Sequence, residues 1–447
     1  MTAMDAIRQN PSEVEIIPIS HTLQASVRVP GSKSLTNRVL MIAALAEGAT
    51  GLKNALFSDD SSYFAGALRQ LGFNISLDPD RSEMNVIGQG GFIPRGEAEL
   101  FIGNAGTAAR FLTAFLTLGN GNYILDGDAR MRERPIGDLV SALGQLGAKI
   151  AKLQPQAVPG LMPGMLQPIC PPIHIHAAGL PGGRAEIAGN ISSQFLSGLL
   201  MIAPYAHSPI ELVVTTELNS KPYVEMTLDV MSDFGVEVTR RGYERFVIAP
   251  AHYRSRPTYA IESDASAASY FFAAPAILGG RVRVENITRH SKQGDIAFLD
   301  ILEQMGCTVV EGNDFVEVIG VESLHGVDVD MRDISDTAQT LAAIAPFADS
   351  PTHIRGIEFI RAKESNRISD TCTELNRLGV EVQEHPDGLT IFPCKAIRPA
   401  NVHTYNDHRM AMAFALVGLR AAGVRIENPA CVSKTFPDYF KILEILR

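Results

Sequence analysis

The stretch Leu68–Asp78, LRQLGFNISLD, places a glycine between an amphipathic helix-like segment and an alternating strand-like segment. The same pattern returns four more times, as LGQLGAKIAKL, MSDFGVEVTRR, LEQMGCTVVEG and LNRLGVEVQEH. A glycine just past a helix adopts the left-handed conformation at little cost, and the apolar alternation that follows it buries one face of a strand. Each stretch therefore predicts the end of a helix followed at once by a strand.

The repeated glycines are regularly spaced along the chain. In the five copies they are Gly72, Gly147, Gly235, Gly306 and Gly379. They follow one another at intervals of 71 to 88 residues, and LRAAGVRIEN around Gly423 is a degenerate sixth copy. Five or six units that each mix helices and strands predict an α/β or α+β protein built from repeated modules. Helix–glycine–strand is also a common local pattern, but the regular spacing favours true repeats.

Length and composition are typical of an ordinary globular protein. The 447 residues include 46% hydrophobic and 20% charged residues, and this length suggests about two or three domains. The net charge of −10 gives no general attraction for nucleic acid or an anionic membrane, so a bound anion requires a local basic pocket. The five cysteines lack C-x-x-C spacing, which disfavours a disulfide framework and a structural zinc site. They are Cys170, Cys307, Cys372, Cys394 and Cys431.

The sequence also bears on location. Its most apolar stretches, such as 195–205, are interrupted by Ser, Gly or Pro, so a membrane span of about 18 apolar residues is not predicted. The segment MTAMDAIRQNPSEVEIIP has no apolar core and carries acidic residues, which is typical of neither a secretory signal nor a transit peptide. We therefore expect a cytoplasmic protein.

The Pro- and Gly-rich residues 154–183 predict an irregular insertion.

The segment PGSKSLTNR places Lys33, Ser34 and Arg38 at the start of an apolar helix. Unpaired backbone N–H groups and the helix dipole favour an anion at such a position. The Walker A spacing is absent, so a nucleotide is not indicated. A capped helix with two solvated cations is the ordinary alternative.

Further predicted helix starts in the first half carry side chains that can bind phosphate, carboxylate or hydroxyl oxygens. They are GNAGTAAR with Asn104, Gly106, Thr107 and Arg110; RMRERP with Arg130, Arg132 and Arg134 ahead of Pro135, which is expected to begin a helix; SSQFLSG with Ser192, Ser193 and Gln194; and SKPYVE with Ser220 and Tyr223. Helix capping and solvated charge are the alternatives for each.

The second half adds carboxylates to this pattern. Asp336 precedes a predicted helix, where a simple N-cap is the usual role. In KESNR, the i,i+4 spacing predicts that Lys363 and Arg367 share a helix face with Glu364 nearby, although a surface ion pair is the alternative. Other charged groups near helices are Asp407, His408, Arg409 and Lys434. Together these segments predict an electropositive pocket for substrates with several negative charges.

The motifs PGSKSLTNR, GNAGTAAR, RMRERPIGDL, SSQFLSGLLM, SKPYVEMTL, DASAASYF, QGDI, KESNR, YNDHRMAMAF and KTFPDYF, in this order, closely resemble the 5-enolpyruvylshikimate-3-phosphate synthase family over roughly residues 29–440. The resemblance implies the two-domain enolpyruvyl transferase fold, an α/β (α+β) fold with six βαβαββ units, three per domain. One domain is then expected at 32–261, and the other combines 1–31 with 262–447.

The resemblance also implies the reaction. The family transfers the enolpyruvyl group of phosphoenolpyruvate to the 5-hydroxyl of shikimate 3-phosphate and releases phosphate, a step towards chorismate and the aromatic amino acids. No metal or organic cofactor is implied. The expected partners are these small-molecule substrates, with no nucleic acid and no membrane, and a monomer is expected. Glyphosate is a known competitor of phosphoenolpyruvate in this family.

Residue roles follow from the resemblance, motif by motif. Shikimate 3-phosphate is expected at Lys33, Ser34, Arg38, Ser192, Ser193, Gln194, Ser220, Tyr223, Asp336 and Lys363. Phosphoenolpyruvate is expected at Lys33, Gly106, Arg134, Gln194, Arg367, Arg409 and Lys434, with Asn104, Thr107, Arg110 and His408 lining the same cleft. The implied catalytic residues are Asp336, which assists removal of the hydroxyl proton, Lys33 as its neighbour, and Glu364, which protonates the methylene carbon.

Four positions depart from the family pattern. Phe111 stands where Pro is common, Ala109 replaces Met, Ser335 replaces Pro, and Phe359 stands where Asn or His touches the sugar-acid substrate. We expect Phe111 to shift its helix and to lower glyphosate sensitivity. Two alternatives remain: a UDP-N-acetylglucosamine enolpyruvyl transferase, whose reactive-cysteine loop is not seen here, and a non-catalytic anion-binding protein on the same fold, which would have little use for Glu364.

Overall fold

The computed structural model describes residues 11–153 and 168–447. Residues 154–167 of the predicted insertion, and the first ten residues of the segment inspected for a targeting signal, lie outside this range. The chain forms two compact units: unit 2 contains 30–264 and 292–294, and unit 1 contains the described residues before Pro30 together with 265–291 and 295–447. The sequence-based domain bounds at 32–261 stay a prediction.

The α-helices of the described residues are α1 (Lys33–Leu45), α2 (Asp59–Gln70), α3 (Gly106–Leu116), α4 (Gly137–Gln145), α5 (Ser193–Ile202), α6 (Lys221–Asp233), α7 (Ala265–Leu278), α8 (Phe298–Gln304), α9 (Ala338–Ile344), α10 (Arg367–Arg377), α11 (His408–Arg420) and α12 (Tyr439–Leu443). Within the residues described, no helix is both long and apolar enough to cross a membrane.

The β-strands of the described residues are β1 (Glu13–Ile16), β2 (Leu23–Arg28), β3 (Glu47–Lys53), β4 (Asn74–Asp78), β5 (Glu83–Gln89), β6 (Glu97–Phe101), β7 (Asn120–Asp126), β8 (Lys149–Lys152), β9 (Ile173–Ala178), β10 (Gly183–Ile187), β11 (Ile210–Val214), β12 (Thr239–Arg241), β13 (Arg245–Ile248), β14 (Tyr259–Ala260), β15 (Gly280–Glu285), β16 (Thr308–Glu311), β17 (Phe315–Ile319), β18 (Asp328–Asp330), β19 (Thr352–Arg355), β20 (Val382–His385), β21 (Gly388–Ile391), β22 (Ala400–Val402) and β23 (Val424–Glu427).

One sheet topology recurs in both units. In unit 2 the sheets are ordered β14-β3-β5-β4, β6-β7-β9-β8 and β10-β11-β13-β12, and in unit 1 they are β2-β15-β17-β16, β18-β19-β21-β20 and β22-β23-β1. In each sheet the first two strands are parallel and the remaining neighbours are antiparallel. A parallel pair needs a crossover connection, and a helix supplies it. Five of the sheets among the described residues have the four strands of a βαβαββ unit, and the sixth, β22-β23-β1, has three, so the predicted repeated architecture is confirmed with its sixth sheet one strand short.

Two modules recruit their first strand from a distant part of the chain. Strand β2 pairs in parallel with β15, and β14 pairs in parallel with β3. Both strands lie beside the points where the chain passes from one unit to the other. Each unit therefore completes one of its modules with a strand that the local sequence pattern does not identify.

The repeated glycines behave as predicted. Gly72, Gly147, Gly235, Gly306 and Gly379 all have φ between +82° and +103°, and each follows the second helix of its module. A side chain rarely adopts this conformation, so glycine ends these helices at the least cost. The strand predicted directly after Gly235 is a partial exception, because β12 begins only at Thr239.

The first helix of each module is buried inside its unit. Every residue of α3 is buried, and α1, α5, α7, α9 and α11 are nearly as enclosed. A helix that is apolar on all sides is stable only inside a core, and each unit has its own core built around three such helices. The polar residues at the N-termini of these helices are therefore positioned by helices that are packed in the core.

Candidate active site

The start of α1 is fixed by a cap and an ion pair. Ser32 Oγ accepts a hydrogen bond from Leu35 N at 3.4 Å, which is the bond that a serine N-cap makes. The Lys33 Nζ lies 3.6 Å from Oδ2 of Asp60. Asp60 is in the first turn of α2, the second helix of the same module, and is almost fully buried. Sequence reasoning missed Asp60, because nothing in its local pattern separates it from an ordinary helix-start aspartate.

Arg38 lies in the second turn of α1 rather than the first, and only 1% of it is exposed. It donates four hydrogen bonds: Nε to Thr227 Oγ1 at 2.8 Å, Nη1 to Ser34 O at 3.0 Å, and Nη2 to Ser197 Oγ at 3.2 Å and to Tyr223 O at 3.0 Å. Each of these acceptors is uncharged. Burial lowers the pKa of Arg38 to about 10, so the side chain remains a cation at neutral pH.

The N-termini of α3 and α5 lie side by side. Gln194 Nε2 donates to Thr107 Oγ1 at 3.4 Å, and Ser192 caps α5 by accepting from Gln194 N at 3.3 Å. A Cβ built on Gly106 would lie 2.5 Å from Arg134 Nη2. Any side chain at position 106 would therefore displace the end of Arg134.

The three arginines of RMRERP have different surroundings. Arg134 is buried and donates from Nη1 to Asn104 O at 3.1 Å and to Asn104 Oδ1 at 2.9 Å. Arg130 and Arg132 form ion pairs with Glu133 and Asp126 near the surface. The prediction that a helix begins at Pro135 is wrong: α4 begins at Gly137, because its N-cap Ile136 has a non-helical backbone, and residues 131–133 form a separate 3₁₀ turn. Of these three arginines, only Arg134 is buried.

Three cations of the predicted site each lie near an aromatic ring. The distance from cationic centre to ring centre is 5.3 Å for Arg38 and Phe111, 6.0 Å for Arg110 and Phe195, and 5.9 Å for Lys363 and Phe359. Aromatic faces attract cations within about 6 Å. Sequence reasoning singled out Phe111 and Phe359 only as departures from a family pattern, whereas the structure gives both rings a charged neighbour.

Arg367 is the centre of the corresponding cluster in unit 1. Its Nε lies 2.8 Å from Asp407 Oδ2, its Nη2 lies 2.8 Å from Glu364 Oε2, and its Nη1 lies 3.2 Å from Asp336 Oδ1. Burial alone would lower the pKa of Arg367, but the three carboxylates outweigh burial and raise the pKa above its usual value. Asp407 also caps α11 by accepting from Arg409 N at 3.0 Å, so one carboxylate binds the side chain of Arg367 and the backbone of Arg409.

Two further cations complete this cluster. Arg409 Nη2 lies 2.5 Å from Asp336 Oδ2, and Lys434 Nζ lies 3.9 Å from Glu364 Oε1.

The prediction that Lys363 and Arg367 share a helix face is wrong, because α10 begins at Arg367 and Lys363 follows a 3₁₀ turn at 358–362. Asp336 lies in a 3₁₀ turn just before α9. Asp336 in this turn and Glu364 in the short connection before α10 both contact Arg367.

The predicted site residues thus form two sets, one in each unit. Unit 2 contains Lys33, Ser34, Arg38, Asn104, Gly106, Thr107, Arg110, Arg134, Ser192, Ser193, Gln194, Ser220 and Tyr223, and unit 1 contains Asp336, Lys363, Glu364, Arg367, His408, Arg409 and Lys434. Most of them lie at the N-terminal ends of helices, where backbone N–H groups favour anions. Ser220, with φ +57°, is the N-cap of α6.

Unit 1 also contains a cavity of about 510 Å³. Its lining includes Ile277, Phe347, Cys394 and Arg420. Ile277, Phe347 and Arg420 lie at or just after the C-terminal ends of buried helices and Cys394 follows β21, whereas most of the predicted site residues lie near helix N-termini. The cavity contains none of the predicted site residues.

The chain matches the family described as EPSP synthase (3-phosphoshikimate 1-carboxyvinyltransferase) over residues 17–443. Among curated relatives, the 3-phosphoshikimate 1-carboxyvinyltransferase of Trichormus variabilis is 52% identical over 428 residues, which cover 96% of this chain and 97% of the relative. The protein of the same name from Sulfurovum sp. is 47% identical over 435 residues, with 97% and 99% coverage.

Solved structures show the same fold. EPSP synthase from Acinetobacter baumannii superposes with a TM-score of 0.78 at 24% sequence identity and covers 98% of both chains. The enolpyruvyl transferase NikO from Streptomyces tendae gives a TM-score of 0.75 at 20% identity, again with 98% coverage of both chains. At these identities the structures support the fold rather than the roles of individual residues.

Proposed function

The chain belongs to the EPSP synthase family. We propose which roles its two sets of site residues have in 3-phosphoshikimate 1-carboxyvinyl transfer. In this reaction the enolpyruvyl group of phosphoenolpyruvate passes to the 5-hydroxyl of shikimate 3-phosphate, and phosphate is released. The observation that carries the proposal is the charge pattern. Unit 2 holds a buried arginine among uncharged acceptors, whereas unit 1 holds a buried arginine among three carboxylates.

The unit 2 set is proposed to bind substrate anions and hydroxyls. Arg38 has five N–H donors, four of which have partners within the chain, so an anion that accepts the fifth would also balance the buried charge. The serines are proposed to hold oxygens of shikimate 3-phosphate; they are Ser34, Ser192, Ser193 and Ser220. Lys33 and Gln194 are proposed to contact both substrates, and Gly106 leaves the space in which Arg134 meets phosphoenolpyruvate.

The unit 1 set is proposed to move protons. Asp336 accepts the proton of the attacking 5-hydroxyl, so that this oxygen forms a bond to carbon 2 of phosphoenolpyruvate. Glu364 donates a proton to the methylene carbon, which becomes a methyl group. In the elimination, the carboxylate that Glu364 has become takes a proton back from that methyl group, the C–H electrons restore the double bond, and the C–O bond to phosphate breaks.

The cations around Glu364 explain how it can change protonation state during the reaction. Arg367 and Lys434 favour a carboxylate there while the site is empty. When the phosphate and carboxylate of phosphoenolpyruvate accept hydrogen bonds from Arg367, Arg409 and Lys434, the positive charge around Glu364 is partly neutralised. The anionic substrate therefore favours the protonated form of Glu364 that the addition step requires.

A phosphate-release assay tests this function. Purified protein with phosphoenolpyruvate and shikimate 3-phosphate is expected to release phosphate, and the same protein with UDP-N-acetylglucosamine as acceptor is expected to release none. Release with the nucleotide sugar alone would assign the chain to the other enolpyruvyl transferase reaction, and release with neither acceptor would favour an anion-binding protein. A monomer, expected from the sequence, can be checked on the same sample by sedimentation.

A further inference from the structure

Phe111 lies against the guanidinium of Arg38, although the two residues are distant in the sequence. The ring centre is 5.3 Å from Arg38 Cζ, and both side chains are at most 1% exposed. A cation near an aromatic face is attracted by the negative face of the ring, and the attraction is stronger where water is excluded. Phe111 thus gives Arg38 an electrostatic partner in a place where its hydrogen-bond acceptors are all uncharged.

Close packing of α3 on α5 holds the ring in this position. A Cβ built on Gly198 of α5 would lie 3.4 Å from the carbonyl oxygen of Arg110 and 3.8 Å from Phe111 Cδ1. The preceding residue, Ser197, accepts a hydrogen bond from Arg38 Nη2 at 3.2 Å. The same turn of α5 therefore lies beside both the ring and the cation.

We propose that Phe111 is a positioning residue that fixes the Arg38 guanidinium in the orientation that binds shikimate 3-phosphate. The proposal rests on the proposed role of Arg38. Four of its five N–H donors make hydrogen bonds within the chain. The direction of the fifth donor, on Nη1, is determined by the orientation of the guanidinium plane. The ring and the hydrogen bonds set that plane together.

This contact gives Phe111 a different effect from the one expected at the sequence level. There, Phe111 was expected to act through Gly106 on the phosphoenolpyruvate pocket and on glyphosate. The contact with Arg38 predicts an effect on the affinity for shikimate 3-phosphate instead. The two interpretations differ in which KM changes.

Phe111→Leu, compared with Phe115→Leu, tests the proposal. Phe115 is on the same helix and equally buried, but its ring packs on Phe73 at 5.7 Å. In Phe111→Leu we expect the KM for shikimate 3-phosphate to rise about three- to thirty-fold, with kcat and the KM for phosphoenolpyruvate within about two-fold of wild type. Phe115→Leu should leave both KM values within about two-fold of wild type, although it removes the same ring from the core.

Fluorination separates ring charge from ring shape. Trifluorophenylalanine at position 111 keeps the ring but removes most of its negative face, so the KM for shikimate 3-phosphate should rise about as far as in Phe111→Leu. An unchanged KM in the fluorinated protein, or equal KM changes in Phe111→Leu and Phe115→Leu, would show that the ring only fills space. A rise confined to the KM for phosphoenolpyruvate would also overturn the proposal.

A measurement without substrate separates this proposal from the proposed function. The Nε–H proton of Arg38, assigned by its loss in Arg38→Met, should exchange with water several-fold faster in Phe111→Leu than in Phe115→Leu, and equal exchange would overturn the contact itself. If Arg38→Met leaves the KM for shikimate 3-phosphate unchanged while phosphate is still released, the positioning proposal fails and the reaction stands. If no phosphate is released from either substrate pair, the proposed function fails, and faster exchange would then support only the contact.

Discussion

Arg38 and Arg367 are both almost fully buried, yet their surroundings are opposite. Arg38 donates only to hydroxyl and carbonyl oxygens and lies beside the ring of Phe111, and burial lowers its pKa to about 10. Arg367 contacts Asp336, Glu364 and Asp407, which raise its pKa despite burial. A buried charge without a counter-charge is costly.

The comparison supports the proposal that the two arginines have different roles. Arg38 has uncharged acceptors, so an anionic substrate that binds there would supply a counter-charge. Arg367 lies among three carboxylates, so besides its proposed contact with phosphoenolpyruvate it holds the groups proposed to take and give protons. Changes near Arg38 should therefore mainly alter the affinity for shikimate 3-phosphate, and changes near Arg367 should alter turnover and stability.

The largest effect is expected for Glu364→Gln. The amide keeps the shape of the side chain but cannot deliver a proton, so kcat should fall about 10²- to 10⁴-fold while shikimate 3-phosphate binding stays within several-fold of wild type. Single-turnover kinetics and calorimetric titration measure the two quantities separately. Turnover close to that of wild type would remove Glu364 from the mechanism and with it the proposed role of the unit 1 cluster.

Arg367→Met tests the cluster through stability. The substitution leaves three buried or half-buried carboxylates without their shared partner, and we expect the free energy of unfolding to fall by about 3–5 kcal/mol. Urea denaturation measures the loss. Arg38→Met is the matched control and should cost clearly less, because it leaves no carboxylate unpaired and because Thr227 Oγ1, which has one proton to donate, lies 2.8 Å from Ser197 Oγ and 2.9 Å from Tyr223 O. Equal losses in the two variants would contradict the comparison.

The same Arg38→Met variant tests the proposed role of Arg38 in binding shikimate 3-phosphate. A hydrogen bond to a charged group contributes about 1.5–3 kcal/mol, so the KM for shikimate 3-phosphate should rise about ten- to a hundred-fold, with a smaller change in kcat. Steady-state kinetics with each substrate varied in turn gives this split. A fall in kcat at constant KM would place Arg38 in the chemical step instead.

The smallest effect is expected for the exposed pair between Arg132 and Asp126, 2.6 Å apart. Partial burial raises the pKa of Asp126, but hydrogen bonds from Arg132 and from Gly127 N outweigh it and lower the pKa. A lowered pKa stabilises the fold at neutral pH, and this contribution disappears as the pH falls through the folded-state pKa. Asp126→Asn should therefore cost less than about 1 kcal/mol at neutral pH and almost nothing in acid. Thermal unfolding at both pH values checks this, and a large loss in acid would contradict it.

Much of the fold could be predicted from local sequence. The glycines from Gly72 to Gly379 mark helix ends because the left-handed conformation is a property of single residues. Most predicted helix starts were also correct, since capping depends on a few neighbouring residues. The errors at Pro135 and Lys363 are alike: each residue follows a 3₁₀ turn and precedes an α-helix that begins two or four residues later, and nothing in the spacing distinguishes such a connection from the α-helix itself.

The sequence by itself determined the repeated module and the polar groups at the helix starts, because both follow from interactions between residues a few positions apart. Only the tertiary structure decided which distant residues meet. It joined β2 to β15, placed Asp60 beside Lys33 and Phe111 beside Arg38, and gathered Asp336, Glu364 and Asp407 around Arg367. These contacts depend on how buried helices pack within each unit, and packing depends on side-chain volumes summed over the whole core rather than on any local period.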